Sequence, residues 1–225
     1  MAMAELSNNP PLTNPVIVVG PQFCAPNPVY LTIVSKVLSL GVGNFNVAVD
    51  GNNVFEVKSI LLSFHGRRVL LDANGNPILS MRKKILSAHW RWEVFRGESW
   101  DSKDLLFSTK KSSLFQLKTE LDVFLAANTK EEVCDFKVKG SWLKRSCNIY
   151  VGEDSSNIII AQMHKKQSVQ SVLFGKDNFA VTAYPNVDYA FIVALIVILD
   201  AINEDRKGRT HNAAGAGVTV TGAIG

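Results

Sequence analysis

The sequence predicts a mainly β protein, a closed barrel of about twelve mostly antiparallel strands around a buried apolar C-terminal α-helix. Three observations predict this fold. Turn-forming residues recur at intervals of about 8–12 residues between Tyr30 and Tyr184, as in chains built from short strands. Several short motifs occur twice in this region, which indicates an internal duplication. The longest apolar run, residues 189–199, lies near the C-terminus.

Length and composition fit one large β domain. The chain has 225 residues, of which 47% are hydrophobic and 20% are charged, and its formal net charge is +4. These values exclude a collagen-like chain, a disulfide scaffold and a polytopic membrane protein. We expect a mostly irregular segment over residues 1–29, a single domain over 30–205 and a disordered tail over 206–225.

The predicted strands follow from turn signals and alternating polarity. Asp50-Gly51 and Asn74-Gly75 are sequences typical of hairpin turns, because both residue pairs tolerate positive φ. The strands that can be given bounds are residues 45–49, 54–58, 69–72, 78–83, 90–96, 105–110, 121–126, 135–139, 147–152, 158–164 and 178–184.

The duplication rests on motifs that recur at a nearly constant offset. Residues 55–58 (FEVK) recur as 136–139 (FKVK), offset by 81, and residues 81–84 (MRKK) recur as 163–166 (MHKK), offset by 82. Repetition of this kind indicates two copies of one β unit.

Two such copies, about residues 45–96 and 121–184, favour a closed barrel, because closure removes exposed strand edges. A barrel of about twelve strands encloses a lumen that wall side chains alone do not fill. The segment 188–202 is apolar on every side and must be surrounded. We therefore place this helix, with Asp188 capping its start, inside the barrel.

The cysteines and the apolar runs bear on the compartment. Cys24, Cys134 and Cys147 are an odd number without a C-x-x-C pair, so we expect reduced and mostly buried thiols. No secretory signal is expected, and the longest apolar run is too short for a membrane span. The prediction is a cytoplasmic protein, with a membrane-peripheral or nuclear location as alternatives.

Enzyme signatures are absent from the sequence. It has no G-x-G-x-x-G, no Walker A motif, no H-E-x-x-H and no G-x-S-x-G. A catalytic Cys147–His164 dyad is supported only by nearby positive charge. The scattered cysteines lack the spacing of zinc ligands. We predict a protein that is not an enzyme, with no catalytic residue, no metal and no cofactor.

Basic clusters are the candidate binding feature. Residues 30–184 contain 21 Lys or Arg against 15 Asp or Glu. In a barrel of repeated hairpins the clustered cations are expected to gather on one rim, where they would hold an anionic phospholipid headgroup such as a phosphoinositide. The candidate residues are Lys83, Lys84, Lys165 and Lys166, followed by Arg82, Lys144 and Arg145.

Two other interpretations of these cations stay open. A solvated lysine-rich edge discourages strand pairing without binding anything. A protein-interaction scaffold would use other surfaces and would not need a lipid. Nucleic acid is disfavoured as a partner, because no nucleic-acid-binding motif accompanies the charge.

A set of weak motifs in a fixed order resembles the LURP-one-related family of plants, over about residues 16–205. The motifs are Phe23-Cys24, Asp50-Gly51-Asn52, residues 69–72 (VLLD) with Gly75, 92–97 (WEVFRG), 136–140 (FKVKG), 162–166 (QMHKK) and 188–191 (DYAF).

This resemblance implies the tubby C-terminal fold, which tubby-like proteins share with phospholipid scramblases. Tubby domains are phosphoinositide binders, and some LURP-one-related proteins are tied to plant pathogen defence. The chain lacks the longer apolar helix and the cysteine cluster of scramblases, so the resemblance does not imply lipid scrambling.

Overall fold

Twelve antiparallel strands close into one barrel around a C-terminal helix in this computed structural model. The structure describes residues 12, 14–37, 43–60, 63, 65–85, 90–112, 119–141, 146–152, 158–164 and 178–215. The elements are β1 (Val29–Val37), β2 (Gly43–Val49), β3 (Asn52–Ser59), β4 (Arg68–Asp72), β5 (Pro77–Lys83), β6 (Trp92–Arg96), β7 (Leu105–Lys111), β8 (Thr119–Leu125), β9 (Phe136–Ser141), β10 (Ser146–Val151), β11 (Ile159–His164), β12 (Asn178–Ala183) and α1 (Tyr189–Gly215).

Each strand pairs with its neighbours in sequence, and β12 pairs with β1 to close the ring. The predicted closed barrel is confirmed. The first strand, β1, is the one whose bounds could not be predicted from sequence. Its residues 29–34 pair with 178–183 of the last strand, and such a distant partner leaves no local turn signal.

Hairpin chemistry explains the tight turns of the first half. Asp50 and Gly51 have φ of 50° and 83°, and two successive positive values are the requirement of a type I′ turn. Gly75 reaches φ 86° in the turn before β5. The predicted hairpin turns at both places are confirmed.

The barrel wall alternates apolar and polar residues, which separates its two faces. On β3, Phe55 and Val57 are buried, whereas Lys58 is exposed. The inward residues pack around α1, whose residues 190–199 are each at most 1% exposed. Phe191 lies 5.1 Å from the Phe107 ring and 5.0 Å from the Phe136 ring. The predicted buried helix is therefore confirmed.

The helix ends later than the sequence predicted. The predicted end was residue 202, and residues 206–225 were expected to form a disordered tail, but α1 continues to Gly215. The prediction equated the end of the apolar run with the end of the helix. Backbone hydrogen bonds continue a helix regardless of whether its side chains are apolar, so this criterion was wrong. Residues 216–225 lie outside the described part of the chain.

Two rims can be defined from the direction of the strands. The start rim is the end of the barrel where α1 begins, next to Ala183 of β12. The exit rim is the opposite end, where Asp205 of α1 reaches Lys83 at the end of β5. Because every neighbouring pair is antiparallel, odd-numbered strands end at the exit rim and even-numbered strands begin there.

The segment before β1 packs against the start rim. Its described residues, 12 and 14–28, are irregular apart from a 3-10 turn at Pro21–Phe23, and Val16 and Cys24 form isolated bridges with Val187 and Asp188. Val19 is buried in the main core. This segment is thus part of the packed domain.

The repeated sequence motifs fall on strands six positions apart around the ring. Residues 55–58 lie on β3 and 136–139 on β9, while 81–83 lie on β5 and 163–164 on β11. Their matching apolar residues all point inward and are buried. Six strands is half of the twelve-strand ring, so the motifs occupy opposite positions in the wall, as two copies of one six-strand unit require.

Candidate functional site

Three of the seven predicted headgroup residues lie in the described part of the chain, at the exit rim. Arg82 and Lys84 flank Glu93 on the neighbouring strand β6: Arg82 Nη2 lies 2.9 Å from Oε2, and Lys84 Nζ lies 3.4 Å from Oε1. The Arg82 guanidinium also lies 4.7 Å from the centre of the Phe95 ring. One carboxylate thus partly neutralises both cations.

Lys83 is held by the emerging helix. Its ammonium lies 2.5 Å from Asp205 Oδ2 and 4.5 Å from the centre of the Trp90 ring. Lys84 is more open, with 55% of its side chain exposed. Of the described candidates, Lys84 is therefore the residue most accessible to an anion from solvent.

Lys144, Arg145, Lys165 and Lys166 lie outside the described residues. The strands that flank them have termini at the exit rim. Strand β9 ends at Ser141 and β10 begins at Ser146, while β11 ends at His164 and β12 begins at Asn178. By sequence, both basic pairs therefore belong to connections whose flanking strands have termini at the exit rim.

A buried arginine fixes α1 as it passes this rim. Arg68 points into the barrel, donates to the Val197 carbonyl at 3.1 Å and to Glu204 at 2.7 Å, and lies 3.6 Å from Asp200. Burial, and then the Asp200 charge, raises the pKa of Glu204 despite its contact with Arg68. The acidic part of α1 is thus tied to cations of the wall.

Two other pairs of residues that could carry chemistry are not arranged as a site. Lys110 lies against the Phe124 ring on the outer face, at 4.7 Å, whereas Lys111 is buried. Cys147 is buried on the inner side, while His164 is exposed on the outer side, so these two do not form a dyad. The described residues contain no group of three or more metal-ligating side chains.

The two rims carry opposite charge by sequence. The connections between strand ends at the exit rim contain nine Lys or Arg against one Asp; they are residues 38–42, 60–67, 84–91, 112–118, 142–145 and 165–177. Those at the start rim contain two Lys against ten Asp or Glu; they are residues 50–51, 73–76, 97–104, 126–135, 152–158 and 184–188. The formal net charges of the connections are therefore +8 and −8, although Arg91 and Glu131, which are counted at opposite rims, pair with one another.

Comparison with known proteins decides the family. The family profile described as "LURP-one-related" matches residues 29–200. The chain belongs to the LURP-one-related family. Protein LURP-one-related 15 of Arabidopsis thaliana is 57% identical over 84% of this chain and 88% of its own length. Protein LURP1 of the same plant is 49% identical over 86% of this chain and 93% of its own length.

A solved structure can also be compared directly. An X-ray structure of an Arabidopsis thaliana protein aligns with a TM-score of 0.66 and 47% identity, covering 83% of this chain and 98% of that one. The barrel fits the tubby-like architecture that the resemblance implies. In the described part of the LURP-one-related chain, no helix has the length and apolar content needed to cross a membrane.

The sequence signal missed the carboxylates that surround the cations of the exit rim. Glu93 is a cross-strand neighbour of Arg82, which becomes visible only once the strand register is known. Asp205 is 122 residues from Lys83. Because Asp205 follows the predicted end of the helix, its contact with the barrel wall was not expected.

Proposed function

We propose that this LURP-one-related protein is a non-catalytic binding module that binds an anionic phospholipid headgroup through the cations of its exit rim. The described part of that group is Arg82, Lys83 and Lys84, and by sequence it extends to Lys144, Arg145, Lys165 and Lys166. The barrel is the rigid support, and the cations form charge-assisted hydrogen bonds to phosphate oxygens. The protein then works in the cytoplasm at the face of a membrane.

The observation that carries the proposal is the opposite charge of the two rims. Residues 82–84 lie at the exit rim, and by sequence the basic pairs 144–145 and 165–166 belong to connections between strands that have termini there. Each cation near an anionic surface contributes about 1 kcal/mol of attraction. A barrel with one basic rim and one acidic rim is therefore oriented by such a surface as well as attracted to it.

A second candidate is a protein-interaction scaffold, in plant defence signalling as the resemblance implies. It is favoured by the ion pairs at the exit rim, because Glu93 and Asp205 already neutralise part of the charge of residues 82–84. This candidate predicts a protein complex that persists at physiological salt and does not depend on the exit-rim lysines.

The test is co-sedimentation with vesicles of phosphatidylcholine, with and without a phosphoinositide, at low and physiological salt. We expect binding to charged vesicles only, weakening as salt screens the charges. The variant Lys83→Gln/Lys84→Gln/Lys165→Gln/Lys166→Gln should bind at least about a hundredfold more weakly at low salt, since it removes four cations.

The matched control is Lys103→Glu/Lys130→Glu at the start rim, where both lysines are exposed. It changes the net charge by the same −4 and should retain binding. Thermal unfolding verifies that both variants fold. Absence of vesicle binding by the native protein at low salt would contradict the proposal, as would equal losses in the two variants.

A further inference from the structure

Two large apolar side chains are exposed at the exit rim, close to the basic residues. Ile60, directly after β3, is 44% exposed, and Ile85, directly after β5, is 47% exposed. Only β4 separates these strands, and the register places Ile85 three residues beyond the level of Ile60, so the two residues start roughly 14 Å apart. Exposed apolar residues with cations around them are typical of a surface that contacts a membrane or a partner.

The backbone holds both residues at the very end of the wall. The Ile60 amide donates to the Arg67 carbonyl at 2.8 Å, and the Lys83 and Lys84 amides donate to the His65 and Arg91 carbonyls at 2.8 and 2.9 Å. The ladder thus continues past the strands to the base of each connection. This gives the two isoleucines a fixed position on the rim.

Two exposed lysines and an aromatic ring lie close in sequence to this apolar pair. Lys58 and Lys84 are exposed beside Ile60 and Ile85 in sequence, and Trp90 lies under the Lys83 ammonium. Tryptophan prefers the boundary between hydrocarbon and water, and lysines keep their ammonium groups in water while their stems lie along apolar surface. A surface with these residues can contact the headgroups of a bilayer through its cations and the acyl chains through its isoleucines.

The exposed apolar residues of the start rim have a different charge environment. Ile17 and Val133 are exposed there to 48% and 57%, but the connections of that rim are acidic by sequence. An anionic bilayer repels that end and attracts the other. The charge therefore selects which pair of exposed apolar residues meets a membrane.

We infer that the exit rim docks on an anionic bilayer with Ile60 and Ile85 inserted into its interface. This inference rests on the proposed function, because the cations supply the attraction that brings the rim to the lipid. Insertion adds a second contribution that does not depend on charge. The barrel axis then points toward the membrane, and the acidic start rim faces the water.

The experiment compares Ile60→Ser/Ile85→Ser with the control Ile17→Ser/Val133→Ser, using vesicles of phosphatidylcholine with phosphatidylserine and a phosphoinositide. The exit-rim pair should bind about ten- to a hundredfold more weakly, since each isoleucine loses about half the transfer free energy of a whole side chain. The control pair should bind like the native protein. All four positions are exposed, so both variants should have the same melting temperature as the native protein.

Salt separates this inference from the function on which it rests. The fold-loss of the isoleucine variant should be equal at low and physiological salt, because salt does not screen apolar transfer. If the native protein binds and the exit-rim pair binds equally well, or no more weakly than the control pair, the insertion is refuted and the headgroup proposal stands. If the native protein binds no charged vesicle, both are refuted.

Discussion

At the scale of single residues, Asp188 joins three parts of the molecule. Its Oδ2 accepts hydrogen bonds from the amides of Val18, Val19 and Gly20 at 3.2, 2.7 and 3.0 Å, and its Oδ1 accepts one from Phe191 at 3.1 Å. The side chain is fully buried. One carboxylate therefore caps α1, as the sequence predicted, and also fixes the segment before β1, which no sequence pattern indicated.

Asp188→Asn should lower the free energy of unfolding by about 3 kcal/mol, because an amide nitrogen would replace an oxygen and face backbone donors that have lost their acceptor. Chemical denaturation measures this loss. The control is Asp101→Asn, whose exposed carboxylate accepts from the Lys103 amide and whose change should stay within about 0.5 kcal/mol. Equal effects at the two positions would show that the buried network does not stabilise the fold.

A second residue-scale prediction concerns pH. Arg91 donates to Glu131 through both terminal nitrogens, with Nη1 at 2.6 Å from Oε1, and these bonds lower the pKa of Glu131. A lowered pKa adds stability above the ordinary carboxyl value, and this stability is lost as the pH falls below it. Glu131→Gln should therefore cost about 1 kcal/mol at neutral pH.

The cost of Glu131→Gln should disappear as the pH falls below about 4.5, the ordinary glutamate value. Denaturation across this range measures the free energy of unfolding at each pH. Glu132→Gln, at the exposed neighbouring position, is the control and should leave the profile unchanged. A cost that persists in strong acid would mean that the pair acts through packing and not through charge.

At the scale of elements, α1 has two different parts. Its apolar part fills the lumen, and its acidic part, with Asp200, Glu204 and Asp205, contacts Arg68 and Lys83 at the exit rim. Asp205 contacts Lys83, a residue that the proposed function assigns to a phosphate oxygen. A lipid headgroup must therefore compete with the protein's own helix for Lys83.

This competition predicts that removing a carboxylate from the helix raises the affinity for lipid. Asp205→Asn removes an anion from the exit rim and releases Lys83, so it should strengthen binding to phosphoinositide vesicles about fivefold, equivalent to roughly 1 kcal/mol for one charge near the surface. Vesicle co-sedimentation at low salt measures it. Asp101→Asn, with the same charge change at the start rim, should leave affinity unchanged; an unchanged affinity for Asp205→Asn would mean that the helix does not compete.

At the scale of the whole molecule, the strand number, the closed ring and the buried helix could all be predicted from local signals. Turn residues such as Asp50-Gly51 set the hairpins, and one run apolar on all sides identified the lumen filler. The charge pairs could not be predicted, because the Arg82–Glu93 contact depends on register and the Lys83–Asp205 contact depends on where a distant helix emerges. The sequence also predicted a strand that ends at residue 83, as β5 does, but it did not indicate the partners of residues 82–84.

The closure of the ring also has a consequence for how the chain is made. The strand pair that closes it joins residues 29–34 to 178–183, and the helix that fills the lumen follows both. During synthesis, the wall is therefore complete only after nearly all of it has left the ribosome. Its inner apolar face stays exposed until α1, the last element, covers it. Such a chain exposes apolar strands for most of its translation, and the unfinished barrel is therefore more prone to aggregate than the closed one.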